Sequence, residues 1–383
     1  MPAEGVRRPA WAEISASAIA HNVAAIRTVL NGARLCAVVK ANGYGHGALL
    51  AARAALAAGS DYLAVAIVDE GIELREAGVK APILLLAEVP PTTIDDALAN
   101  GLTVTVGSLD GARAVVEVAE RRPGRHLVHL KVDTGMHRMG VAPEVVDEVV
   151  DVLRASPSVE LDGIYTHLSV ADGERDEDRA YTQGQIALFD TIVARLAERG
   201  VRFALVHCAN SAGALGYPNA RYDMVRVGLA LYGYLPDPWL ADALTQVGAT
   251  LAPALTLRAR VVARRRVAAH ERPSYGRARE LPRESTIVTV PFGYADGYPR
   301  RLFRAGAHVL INGRSYPLAG NVTMDQLLVD VGDDHVALGD EVVLLGRQGE
   351  LVVSGDQWAQ WADTITWEIL CGVGARVPRV LVP

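Results

Sequence analysis

Ala37-Val38-Val39-Lys40-Ala41-Asn42-Gly43-Tyr44-Gly45-His46-Gly47 is an apolar run that stops on a lysine beside a glycine-rich loop. A short buried strand reads this way, and an amine at the carboxyl end of a strand in an α/β barrel faces the pocket. Burial lowers a lysine pKa from ~10.4 towards neutrality and frees the amine to form a Schiff base. Gly43, Gly45 and Gly47 let backbone amides approach an anion closely, and Tyr44 offers a phenol donor. On this stretch alone a plainer reading stands beside it, a strand-capping lysine with its amine in water.

Outward from this stretch the same rhythm recurs. Apolar runs at Leu35 to Val39, Tyr62 to Ile67, Ile83 to Ala87, Thr103 to Val106, Leu127 to Val132, Leu161 to Thr166, Ala204 to Cys208 and Met224 to Val227 read as strands. Between most of them lie segments with apolar residues at three-to-four spacing, several closed by a glycine such as Gly59, Gly78, Gly101 or Gly200. Eight strands with crossover helices predict a parallel (β/α)8 barrel of the TIM type, with Ser17 to Leu30 as a further outer helix. After about residue 250 the texture changes to short β-rich runs with tight turns, such as Val309 to Ile311 before Asn312-Gly313. The predicted division is a barrel over 11–245 and a mostly β domain over 246–383, to which residues 1–10 can also belong.

The 383 residues exceed one ordinary core, which agrees with two domains. A net charge of −6 argues against a nucleic-acid partner, and Arg264-Arg265-Arg266 reads as decoration of an exposed strand. No stretch has the length or apolarity of an export signal or a membrane span, so a cytoplasmic protein is expected. Cys36, Cys208 and Cys371 are far apart in apolar surroundings, which predicts buried thiols and no metal cluster.

The barrel strands' carboxyl ends converge on one mouth. They carry Lys40, the run Lys131 to Arg138, Thr166-His167, Asn210-Ser211, and Arg226 before Gly228-Leu229. Each has an ordinary alternative: Lys131 and Arg138 as surface cations, His167 as a core histidine, Asn210-Ser211 as a helix cap, Arg226 as a partner of Asp223. Together, an anchoring amine, small polar donors with backbone amides, and an arginine describe a site for a phosphorylated aldehyde cofactor. Lys131 should point into the mouth near Arg138, where an ammonium is repelled and desolvated; carbamylation by carbon dioxide would reverse its sign and let it orient Arg138.

At this level of detail the chain resembles the alanine racemases, enzymes that depend on pyridoxal 5′-phosphate. The resemblance rests on AVVKANGYGHG (37–47), KVDTGMHRMGV (131–141), IYTHLSVAD (164–172), HCANSAGAL (207–215), MVRVGLALYG (224–233), SYGR (274–277), PFGYADGYPR (291–300), NVTMDQ (321–326) and RVPR (376–379), in that order. It implies that Lys40 carries the cofactor and acts as one base, and that Tyr275 is the other base on the opposite face. It implies a homodimer in which Tyr275, Tyr294 and Met324 reach the neighbouring subunit's site. Tyr44, Ser211 and the amides of Gly228 and Leu229 would hold the phosphate, with Asn210 nearby. Arg226 would face the pyridine nitrogen, Arg138 and the Met324 amide the substrate carboxylate, and His167 would pack near the ring. The implied reaction interconverts L- and D-alanine and supplies D-alanine for peptidoglycan.

The chemistry supports these implied roles. Inverting a centre needs an acid and a base on opposite faces, and a tyrosine with a pKa of ~10 needs neighbouring positive charge or hydrogen bonds to act as one. An arginine, always protonated, disfavours a proton on the pyridine nitrogen. Ala375 stands where some relatives place a tyrosine that adds a phosphate donor, and Thr323 lies at a position that varies among them. The rival readings are a fold-related decarboxylase, which would set an acidic residue against the pyridine nitrogen, a racemase for lysine or serine, and a barrel that only carries the cofactor.

Overall fold

The computed structural model describes residues 7–383. The chain divides into two compact units, one of residues 17–43 and 51–252, the other of the residues up to Ala16, 44–50 and 253–383. The first strand, β1 (Ala10–Ser15), belongs to the second of these.

The first unit is a closed barrel of β2 (Arg34–Val38), β3 (Tyr62–Val65), β4 (Ile83–Glu88), β5 (Thr103–Val106), β6 (His126–Lys131), β7 (Val159–Tyr165), β8 (Leu205–His207) and β9 (Met224–Val227). Neighbours pair in sequence order, all parallel, and β9 closes on β2 with Arg34 opposite Met224 and Cys36 opposite Arg226. The strands are near-continuously apolar because both faces are covered, the inner by barrel side chains and the outer by helices. Helix Ala16–Val29 buries Ala18, Ile19, Asn22, Val23, Ala25, Ile26 and Val29, one stripe at helical spacing, and is the outer helix expected ahead of the first barrel strand. Where Leu109–Ala119 begins, Ser108 caps the helix by accepting from the Gly111 N–H at 2.9 Å.

In the second unit a sheet runs in the order β14 (Arg314–Pro317), β13 (His308–Ile311), β16 (Glu341–Gln348), β10 (Leu255–Arg260), β1, β18 (Arg379–Val382), and β17 (Leu351–Val353) pairs with β16. A smaller sheet joins β11 (Ala263–Val267), β12 (Ser285–Val290) and β15 (Leu327–Gly332). The Asn312-Gly313 hairpin forms as read, both residues at positive φ (51° and 74°) between the pair Ile311 and Arg314. Arg264 to Arg266 lie exposed on β11. Trp358 anchors the core, fully buried against Tyr298 with its indole N–H on the Leu344 carbonyl at 3.1 Å.

Two expectations need adjustment. Residues 11–15, read with the barrel, form a strand hydrogen-bonded between β10 and β18, because Ala10, Ala12 and Ile14 present a buried face to that sheet. Of the segment 1–10 associated with the β domain, residues 1–6 lie outside the described residues. Cys36 and Cys208 are buried, but Cys371 is exposed at the end of the short helix Thr366–Cys371. No helix among the described residues is long and apolar enough to cross a membrane.

Candidate active site

The chain leaves β2 through Val39, whose N–H bonds the Ala64 carbonyl at 2.8 Å, and delivers Lys40 half-buried at the strand's carboxyl end. Immediately afterwards it turns left-handed, with φ of 52°, 53°, 62° and 51° at Ala41, Asn42, Gly43 and Tyr44. Each non-glycine residue in that region costs ~1–2 kcal/mol, so the turn must be held from outside. Glu70 holds it, accepting the Ala41 N–H at 2.6 Å on one oxygen and the Ala66 N–H at 2.8 Å on the other.

Gly45, which follows, has a packing role beside the anion approach expected from sequence. A Cβ on Gly45 would lie 2.0 Å from the Leu370 carbonyl oxygen, and the Gly45 carbonyl accepts from Arg379 Nε at 2.9 Å. Close approach of two chain segments within the second unit demands glycine there. Tyr44, in the same unit, is buried, and burial pushes its phenol above its ordinary range, so it is a neutral donor at physiological pH.

Beside β2, where β8 and β9 close the barrel, Asn210 caps helix Ser211–Gly216 by accepting from Gly213 N–H at 2.9 Å. The ordinary reading of Asn210 as a cap therefore holds. Ser211 is buried, and its hydroxyl accepts from the Gly228 N–H at 3.0 Å and the Ala230 N–H at 3.4 Å at the start of the turn Leu229–Tyr232. A hydroxyl and amides from two chain segments thus meet at one point, as an anion cradle requires.

Arg226 points inward from β9 and is 3% exposed. Asp223, its ordinary partner by sequence, instead takes the Val206 N–H at 2.8 Å. The guanidinium donates to the carbonyls of Thr166 (2.8 Å) and Cys208 (2.9 Å), to His207 Nδ1 (2.8 Å) and to His167 Nδ1 (3.2 Å). It also lies 4.9 Å from the centre of the Tyr165 ring, which stacks on His207. Since arginine can only donate, both histidines accept on Nδ1 and carry their proton on Nε2. Desolvation and the Arg226 charge hold both far below the ordinary histidine range, which keeps them neutral. Lys131 is buried, 5.5 Å from the Tyr165 ring centre and 3.4 Å from the Leu86 carbonyl, and its amine is pushed down to about 8 by desolvation and by Arg226, Arg138 and Lys40. Arg138 is exposed, in the loop after β6.

Tyr275, Tyr294 and Met324 all lie on the second unit, 73%, 43% and 53% exposed. Asn321 ties the Tyr275 and Met324 segments together: its side-chain amide donates to the Tyr275 carbonyl at 2.8 Å and its main-chain carbonyl accepts the Ser274 hydroxyl at 2.5 Å. The Tyr294 and Ala295 N–H groups bond the carbonyls of Thr323 and Met324, each at 3.0 Å. Ser274, Gly276 and Arg277 have positive φ, so Tyr275 sits on a sharply folded loop. Ala375 is exposed.

Sequence reading gave no role to His129, Tyr165 or His207. Their signal was present: histidines inside the apolar runs His126–Lys131 and Leu205–His207 must face something polar when fully buried. Among the described residues no cluster of His, Cys, Asp and Glu is built to hold a metal.

Family models described as the alanine racemase N-terminal and C-terminal domains match residues 14–236 and 254–381. Alanine racemase of Symbiobacterium thermophilum is 46% identical over 378 residues, 97% of each chain. The crystal structure of alanine racemase from Bacillus anthracis with bound L-Ala-P matches with a TM-score of 0.91 at 35% identity, over 98% of this chain and 95% of that one. Histidine racemase from Leuconostoc mesenteroides matches with a TM-score of 0.89 at 26% identity, over 99% of each.

Proposed function

The chain belongs to the alanine racemase family, and on that premise we propose that it interconverts L- and D-alanine with pyridoxal 5′-phosphate, using Lys40 and Tyr275 as the two bases. The barrel residues suit that cofactor: an amine at Lys40, the Ser211 hydroxyl beside the Gly228 N–H for a phosphate, Asn210 capping the helix that carries Ser211, and Arg226 for the pyridine nitrogen, to which the family resemblance adds the Leu229 amide and Tyr44 as further donors. When bound, it supplies the conjugated sink that makes the α-proton of alanine acidic.

Lys40 takes or returns the proton at the α-carbon from one face. The partner subunit's Tyr275 serves the other face, so the working unit is a homodimer, and the exposed group of Tyr275, Tyr294 and Met324 is the surface that crosses. His167, neutral with its proton on Nε2, offers a donor near the ring and helps tune the tyrosine. Arg138 and the Met324 amide bind the substrate carboxylate. Lys131, with a neutral amine available near pH 8, reacts with carbon dioxide to a carbamate that orients Arg138. The protein acts in the cytoplasm, and the D-alanine serves peptidoglycan.

The observation that carries this reading is Arg226. It is buried, no carboxylate among the described residues pairs with it, and carbonyls and neutral histidines hold its guanidinium in place, so a pyridine nitrogen beside this permanent cation would stay unprotonated. That electronic arrangement favours return of the proton over decarboxylation or transamination. A second reading, a racemase of other or broader specificity, draws on the likeness to a histidine racemase and on the openness of the Tyr294 and Met324 surface. The test is racemisation of a panel of amino acids by the loaded protein: alanine should lead by at least tenfold in kcat/KM. Preference for lysine, serine or histidine would replace alanine as substrate, and carbon dioxide release without racemisation would overturn the reading.

A further inference from the structure

Arg226 is one end of a longer chain of hydrogen bonds through the barrel core. His207 Nε2 meets His129 Nδ1 at 2.9 Å, and His129 Nε2 meets Asp162 Oδ2 at 3.3 Å. Proton directions follow from one end. Arg226 donates to His207 Nδ1, so the proton of neutral His207 is on Nε2 and is given to His129 Nδ1. His129 then carries its own proton on Nε2 and gives it to the Asp162 carboxylate. Each of the four groups has only one protonation pattern that satisfies the whole chain.

The surroundings are built to hold it. His129, His207 and Arg226 are buried. Gly163 makes room for His129, since a Cβ there would lie 2.6 Å from His129 Nε2. Tyr165 stacks on His207 with ring centres 4.7 Å apart, and the Tyr165 hydroxyl is pinned by Thr105 and the Leu86 carbonyl at 2.9 Å each. Asp162 precedes Gly163 on β7 and, with Arg125, Arg154 and Arg202, lines a groove at the barrel's amino-terminal face. The mouth and the opposite face are thereby linked by side chains from four strands.

We propose that Asp162 is a positioning residue for racemisation: through His129 and His207 it fixes one proton direction along the chain and so holds the Arg226 guanidinium at the angle the cofactor's ring nitrogen requires. This rests on the reading that Arg226 faces that nitrogen. Arg226 sets the pattern at one end and Asp162 closes it at the other: without the Asp162 oxygen the buried His129 Nε2–H has no acceptor, His129 is drawn towards its Nδ1–H form, and the His207 Nε2–H then loses its own acceptor while Arg226 still holds Nδ1.

The chain is testable without cofactor. In protein labelled with nitrogen-15 histidine, long-range proton–nitrogen correlation at pH 7.5 should show His129 and His207 both as neutral Nε2–H tautomers. Asp162→Ala should give mixed tautomers at His129 and a shifted Nε2 resonance at His207, and Asp162→Asn, whose amide oxygen accepts the same N–H, should restore the single pattern. In loaded enzyme kcat should fall about tenfold in Asp162→Ala with KM changed less than twofold, and recover to within threefold in Asp162→Asn. An Nδ1–H tautomer at either histidine in the wild type overturns the proposal, as does an unchanged His207 spectrum in Asp162→Ala. Should the alanine variant not fold, the wild-type and asparagine spectra decide. The underlying reading is tested separately with pyridoxal 5′-phosphate labelled at the ring nitrogen: a resonance identical in wild type and Arg226→Lys would remove Arg226 from that nitrogen while the histidine spectra still judged the chain.

Discussion

Replacing Asn22 with leucine tests whether the anion cradle depends on the outer helix that precedes the barrel. Asn22 is fully buried, and its amide donates to the carbonyls of Leu231 at 3.0 Å and Ala252 at 2.8 Å while its carbonyl accepts the Ala252 N–H at 2.8 Å. Leucine is close in size and makes none of these bonds, so two carbonyls and one N–H lose their partner. A buried orphan costs ~1–3 kcal/mol, but Ala252 is only half-buried and water can reach it, so the lower end applies and the sum is about 3 kcal/mol. At ~2–4 °C per kcal/mol for a domain of this size, the barrel's melting temperature should fall by about 6–12 °C. Leu231 belongs to the turn Leu229–Tyr232 that starts at the Ser211 hydroxyl, so cofactor affinity should weaken as well. Calorimetry of the cofactor-free protein at matched scan rates, with titration of the cofactor by absorbance, measures both. A fall of less than about 2 °C together with unchanged affinity would refute the claim that Asn22 organises the turn.

Gly45→Ala should yield little folded protein or a melting temperature at least 10 °C lower, measured by circular dichroism, because the new Cβ collides with the Leu370 carbonyl at a residue whose φ is 80°. Carbon-13-labelled carbon dioxide should give a carbamate signal that grows as pH rises through about 8 and vanishes in Lys131→Met, because the neutral amine is the nucleophile. Without carbon dioxide, the folded Lys131 value of about 8 lies below the unfolded ~10.4, so the unfolded chain binds the extra proton between them and stability should rise with pH over that window, a slope that Lys131→Met should remove in denaturant titrations. Mixed Lys40→Ala and Tyr275→Phe chains should regain activity after subunit exchange, since one hybrid site then holds both bases; no recovery despite proven exchange would place both bases in one chain. Tyr275→Ala should nearly abolish racemisation yet leave Lys40 able to exchange the α-hydrogen of D-alanine in deuterated water faster than that of L-alanine; equal exchange of the two would defeat the two-base reading.

The sequence by itself determined the barrel, because eight short apolar runs separated by amphipathic segments have few other ways to bury both faces. It also marked Lys40, Ser211 and Arg226, since polar residues at the ends of such runs stand out against an apolar background. What it left open were the long-range partners. Parallel strands covered on both sides carry no alternation to say which residues face the barrel axis, so nothing in the one-dimensional pattern joined His129 to His207, 78 residues later, or Asp162 to both. Nor did it show that Ala10–Ser15 would find β10 and β18 as neighbours, since a lone short strand acquires its place only from the register of the sheet that accepts it. The glycines after Lys40 make the same point: their spacing resembled an anion-binding loop, while the requirement at Gly45 came from the backbone at Leu370, which only the folded chain brings within 2.0 Å of its missing side chain. Local chemistry is written in local sequence; the direction of Arg226 is set by strand register and close packing, which exist only once the barrel has closed.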